Sequence, residues 1–138
     1  MKYITGIHAL NLPCSLETCG DWRTSALKWV DITYANTENS VLGDWGIETC
    51  TCVPEHEGKF FIANTIRACL DLLIQGDFAV AQGMNEDFIC NENYDNIVFE
   101  KVNVLWGLPN WAEIDAFMHR EYKLKRVRFL KENSESVN

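Results

Sequence analysis

The chain has 138 residues, 47% of them hydrophobic and 23% charged, with a formal net charge of −8. A domain of this size buries roughly 65–70% of the surface its unfolded chain exposes, so it can hold a core without covalent staples. The acidic balance disfavours nucleic acid or an anionic surface as a partner of the body, and no apolar run approaches the ~20 residues that span a bilayer.

Residues 2–10 are β-prone, with Tyr3, Thr5 and Ile7 alternating against Ile4, Gly6 and His8, and predict a first strand. Leu12-Pro13 breaks it, because proline has no amide hydrogen to give a ladder. Cys14–Asp21 then reads as a loop. Ser25–Tyr34 alternates again and predicts a second strand, followed by a polar turn at Ala35–Ser40. Val41–Val53 predicts a third extended segment, interrupted by Gly43 and Gly46.

Near residue 60 the period changes. Ile62, Ile66, Cys69, Leu70 and Leu73 recur at helical spacing and predict a helix over 61–75, ended by Gly76. A short helix follows at Phe78–Gly83. Residues 85–93 are polar, with Phe88 and Ile89 as an apolar plug. Tyr94, Ile97, Val98, Val102 and Leu105 predict a helix over 94–105. Asn110 and Glu113 form a capping-box pattern at the head of a helix over 110–122. Lys123–Leu130 mixes cations with apolar residues and fits helix or strand, and 133–138 reads as a frayed tail. The fold expected is α+β, an N-terminal antiparallel sheet followed by a C-terminal helical half, in one compact domain over 1–132.

The chemistry-bearing residues gather in two stretches, 8–22 and 44–56. Each contains a Gly-Asp-Trp tripeptide, at Gly20-Asp21-Trp22 and Gly43-Asp44-Trp45. Cys14, Cys19, Cys52 and His56 supply four ligands of the type zinc takes in a tetrahedron, with Cys50 as a substitute for Cys52. The spacing is not that of a common zinc ribbon. Free cysteine is also among the most buried residue types, so packing is the competing reading. A cysteine nucleophile would need a histidine (His8, His56 or His119), a cation or a helix N-terminus beside it to favour the thiolate. Brought together, Asp21 and Asp44 would make an acid–base or metal pair, and Trp22 and Trp45 a stacking platform; taken separately, each tripeptide is a turn anchored by its tryptophan. Cys69 belongs to an apolar stripe, and Cys90 has no nearby ligand partner. After Met1 there is no signal-peptide pattern, so the cysteines are expected as thiols of a cytoplasmic protein. The acidic loop at 85–92 lacks the pattern of an EF-hand.

Charge divides the chain unevenly. Residues 1–118 hold 6 Lys+Arg against 17 Asp+Glu, whereas 119–138 hold 6 against 3. The basic end brings together Arg120, Lys123, Lys125, Arg126 and Arg128, the one part suited to nucleic acid or another anionic partner. Order there is expected from Tyr122, Leu124, Val127 and Phe129 packing back on the acidic body. The function expected is a small acidic interaction domain for a basic protein partner, as in an antitoxin, immunity or defence-accessory protein, with no membrane. The alternative is a metal-binding or small enzymatic domain built on the Cys/His/Asp residues of 8–22 and 44–56.

Overall fold

A glycine decides where the first strand stops. In the computed structural model, β1 covers only Lys2–Ile4, and Gly6 (φ +61°) turns the chain directly into a short helix, α1 (Gly6–Leu10). The expected strand over 2–10 is therefore half helix. The left-handed backbone that glycine adopts freely outweighs the alternation of its neighbours.

The structure describes the backbone of residues 1–137 and the side chains through Asn133. The frayed end expected at 133–138 thus lies outside the described residues at 138 and, for its side chains, from 134 onward.

The expected strand over 25–34 is also absent. Thr24–Ala26 is a 3-10 turn, and of the expected strand only Tyr34 joins a ladder, as the first residue of β2 (Tyr34–Asn36). Side chains replace the ladder here. His8 Nε2 donates to the Lys28 carbonyl at 3.0 Å, and its Nδ1 accepts the Thr33 amide at 3.3 Å. Trp29 plugs the core, with its indole N–H on the Thr24 carbonyl at 3.0 Å and its ring edge-on to His8. A buried tryptophan with a bonded N–H anchors an irregular segment that no ladder holds.

Of the third extended stretch only β3 (Ile47–Cys50) pairs. It follows Gly46 (φ +76°), where an added Cβ would stand 2.8 Å from the Arg67 side chain. A fourth strand, β4 (Phe60–Ala63), precedes the helix that the sequence places from residue 61. Asn64 divides them. Its side chain accepts the Arg67 amide at 2.9 Å and caps α2 (Thr65–Gln75), which Gly76 closes in the left-handed region. The sheet order is β2-β1-β4-β3. The outer pairings are antiparallel, and the central one, Ile4 with Ile62, is parallel.

Helices fill the second half: α3 (Phe78–Ala81), a π-helical turn at Met84–Ile89, α4 (Asp95–Asn103), α5 (Trp111–Tyr122) and α6 (Leu124–Val137). Strands first and helices after is the α+β layout implied by the change of period. The capping box at Asn110 does not form. Asn110 Nδ2 instead donates to the Leu73 carbonyl at 3.0 Å, serving the unsatisfied end of α2. Ile66, Ala68, Cys69, Leu70 and Leu73 of α2 are buried against α1, β4, α3 and α4, in one cluster that runs from Tyr3 to Phe129. Removing a side chain such as Leu70 from that cluster costs about 2–5 kcal/mol. Among the described residues no helix is long and apolar enough to cross a membrane.

Candidate functional site

The loop between α1 and the 3-10 turn at Thr24 has almost no regular structure and is fixed by side chains. Asn11 spans its two ends: its Nδ2 donates to Asp21 Oδ2 at 3.0 Å, and its Oδ1 accepts the Arg23 amide at 2.7 Å. The Asp21 amide returns to the Leu10 carbonyl at 2.9 Å. The Cys19 and Gly20 amides share the Phe88 carbonyl, both at 3.0 Å. Ser15 donates twice to the Glu48 carboxylate, by its amide at 2.8 Å and its hydroxyl at 2.5 Å. Gly20 (φ +73°) is required, because a Cβ there would meet the Leu10 carbonyl oxygen at 2.8 Å.

These bonds lock Trp22 into an unusual position. Its φ is +67° and its side chain is 83% exposed. A bulky residue in the left-handed region costs on the order of 1–3 kcal/mol. Trp22 recovers little of this by burying its ring. Beneath it lies a recess of about 410 Å³, walled by Leu10, Leu12, Pro13 and Leu16 and edged by Cys14, Thr18, Cys19, Asp21 and Thr65. Cys14 Sγ stands 3.6 Å from Thr65 Oγ1 and 4.0 Å from Thr18 Oγ1, and the two hydroxyls are 2.6 Å apart.

The structure does not bring the four expected zinc ligands together. Cys19 forms a disulfide with Cys90. This corrects the reading of all six cysteines as thiols. Cys14 faces threonines, Cys52 is exposed with its amide 3.4 Å from Cys50 Sγ, and His56 Nε2 donates to the Trp29 carbonyl at 2.7 Å. Among the described residues no group of three or more His, Cys, Asp or Glu is placed to hold a metal ion.

The two Gly-Asp-Trp turns also have separate surroundings. Asp21 is buried beside Asn11 and Arg23, whereas Asp44 is exposed. Trp45 is half-buried under Lys101, whose ammonium lies 4.9 Å from the ring centre.

A polar centre that the sequence reading missed lies under the sheet. Arg67 is fully buried. Its Nε donates to Asp71 Oδ1 at 2.9 Å and its Nη2 to Tyr3 Oη at 2.8 Å, while Nη1 donates to the Gly43 and Trp45 carbonyls at 2.8 and 2.6 Å. Asp71 Oδ2 also accepts the Tyr3 and Thr5 hydroxyls, both at 2.6 Å. Burial, reinforced by the Asp71 carboxylate, pushes the Tyr3 phenol well up. Asp71 and Tyr3 form part of the lining of a cavity of about 500 Å³. The signal was present in the sequence: an arginine and an aspartate four apart, one turn of helix, on an otherwise apolar segment.

At the basic end, Arg120, Lys123 and Arg128 are exposed, and Lys125 Nζ lies 3.4 Å from both Glu92 and Asp95. Asp95 pulls the Lys125 ammonium up, while burial raises the Asp95 carboxyl. Arg126, expected at an interacting surface, is fully buried. The helical period explains this. Within α6, Arg126 and Phe129 share the inner face at i and i+3, and Phe129 meets the Phe99 ring at 5.1 Å, as Tyr122 does from the end of α5 at 4.9 Å. Leu124 and Val127 fall on the outer face and are 67% and 48% exposed, so only two of the four apolar residues expected to pack do so. Arg126 Nη2 donates to Asn103 at 3.0 Å, but Nε and Nη1 have no hydrogen-bond partner among the described residues.

The chain matches no protein-family model, and comparison with curated proteins and with solved structures yields no match.

Proposed function

We propose that this chain is a small acidic protein-interaction domain that docks a basic protein partner through the loop carrying Trp22. The observation behind this reading is Trp22 itself: a large aromatic 83% exposed on a left-handed backbone that a full set of hydrogen bonds holds in place. Strain retained at an exposed position points to a use for that position. Tryptophan is the residue type most enriched where binding energy concentrates, beside pockets able to exclude water. The recess next to it offers apolar walls, and Glu17 lies exposed on the same loop. The excess of acids over residues 1–118 steers a cationic partner toward such a face. An antitoxin, immunity or defence-accessory protein that neutralises a basic partner in the cytoplasm is the biological form this reading takes. Dispersal of Cys14, Cys52 and His56 leaves the metal-binding alternative without a common centre among the described residues.

Affinity capture from the native host with the full-length chain tests the proposal. The expected result is a stoichiometric basic protein whose binding weakens with salt. Trp22→Ala should weaken that binding at least about 30-fold, the scale of an interface hot spot of ~2 kcal/mol, and leave thermal stability no lower. A partner held equally by the variant, or none recovered across several growth states, overturns it.

A further inference from the structure

The loop that carries Trp22 holds a second arrangement, which docking does not use. Cys14 and Cys19 line the same recess, and Cys14 Sγ reaches the hydroxyl of Thr18, the residue before Cys19. Cys90 opens on a different recess, of about 640 Å³, with Lys123 and Lys125 and with Glu86, Glu92 and Glu121. The Cys19–Cys90 bridge therefore joins two recesses, and both of its residues are exposed. The remaining cysteines stand apart. Cys69 is sealed in α2, where burial pushes its thiol far up, and Cys50 is buried beside Cys52 at the end of β3. A half-buried thiol that shares a recess with one end of an exposed disulfide has the components exchange requires: a nucleophilic sulfur, an accessible disulfide and a leaving thiolate. Where a disulfide occurs in a reducing compartment it is usually transient and redox-active.

We propose that Cys14, Cys19 and Cys90 form an intramolecular thiol–disulfide exchange site. Cys14 releases its proton to water, and its thiolate forms a bond to Cys19 Sγ. The Cys19–Cys90 bond breaks, the electron pair leaves on Cys90 Sγ, and that sulfur takes a proton from water. One disulfide and one thiol stand on each side of the step, so neither oxidant nor reductant is consumed. Cys19 is the sulfur attacked, because it shares the recess with Cys14 while Cys90 faces the other one. The product bridge closes a short loop within residues 14–19 and cuts the covalent tie to the π-helical turn. Trp22 lies three residues beyond Cys19, so exchange alters how it is presented; that consequence rests on the docking reading above.

Peptide mapping under non-reducing conditions tests the exchange on the full-length chain, after acid quenching and alkylation of free thiols. A glutamate-specific protease cuts at Glu17, between Cys14 and Cys19, so each bridge gives its own linked pair. The wild type should yield both Cys19–Cys90 and Cys14–Cys19 pairs, with alkylated Cys90 accompanying the second. In Cys14→Ser, alkylation of Cys90 should fall at least tenfold. In Cys90→Ser, mild oxidation with diamide should link Cys14 to Cys19. No such link in Cys90→Ser, no alkylation of Cys90 in the wild type, or six free thiols in air-equilibrated protein would each overturn the proposal. Thermal melts of both variants establish that they fold, and Cys14→Ser is read by mapping even if Cys90→Ser does not. None of these outcomes depends on a partner, so loss of the docking reading would leave this result intact.

Discussion

Two arginines are wholly buried in this protein, and they are buried differently. Arg67 spends four hydrogen bonds on a carboxylate, a phenol and two backbone carbonyls, with Tyr3 beneath its guanidinium at 5.0 Å. Arg126 rests on the Phe99 ring at 5.6 Å with one hydrogen bond, to Asn103, and Asp115 at 3.9 Å. Burial lowers the pull of Arg126 on its proton, with Asp115 only partly opposing. A buried charge is tolerated when its donors are matched and is a burden when they are not. The sheet–α2 junction is therefore specified by polar contacts, whereas α6 is held by aromatic packing despite its arginine.

Four changes probe that contrast, from the largest expected effect to the smallest. Arg67→Met should cost about 3–5 kcal/mol in denaturant unfolding, because it strands the Asp71 carboxylate and two carbonyls in the interior. A loss below ~1 kcal/mol would show the network to be incidental.

Alkaline pH should act on both junctions. Burial raises the Tyr3 and Tyr122 phenols above their ordinary value of 10.0 and the Cys69 thiol above 9.0. The folded chain keeps these protons where the unfolded chain releases them. Their contribution is complete below the ordinary values and is lost as pH rises past them, by up to about 1.4 kcal/mol per pH unit for each proton. Melting temperature should fall steadily above pH ~9, and phenolate absorbance from Tyr3 and Tyr122 should appear only with unfolding. Their ionisation in a still-folded chain would contradict the burial described.

Arg126→Met should be neutral or stabilise by ~1–4 kcal/mol, since Asn103 and Asp115 are only partly buried and lose little. A loss comparable to that of Arg67→Met would erase the distinction between the junctions. Last, Lys125→Ala should change stability by no more than ~1 kcal/mol, as its pairs with Glu92 and Asp95 are exposed on the lysine side. Denaturant midpoints read both.

What the sequence made legible follows the length of each signal. Over α2, α4 and α5 the apolar residues repeat for two turns or more, and the helices fall within a few positions of where the period puts them. Phe60–Ala63 is too short to show any period, so a strand merged with the helix behind it, although Asn64 marked the boundary. Alternation misled over Ser25–Tyr34, because Trp29 and His8 fix that segment by contacts that are not local. Within the site, Cys14, Cys19, Asp21 and Trp22 do line one recess, as nearness in the chain suggested. The disulfide was hidden, since spacing says nothing about partners 71 residues apart.

The parallel pairing of Ile4 with Ile62 has a consequence for synthesis. At ~5–20 residues per second, β1 waits roughly 3–12 s for its central partner to be made. Until then Tyr3 and Ile4, both buried in the finished protein, can pair only with the outer strand β2. Arg67 and Asp71, which close over Tyr3, come later still. The nascent chain must therefore carry β1 with its inner edge unpaired and its apolar side chains uncovered until β4 and α2 are complete, and slow translation between residues 5 and 75 should make this protein more dependent on chaperones.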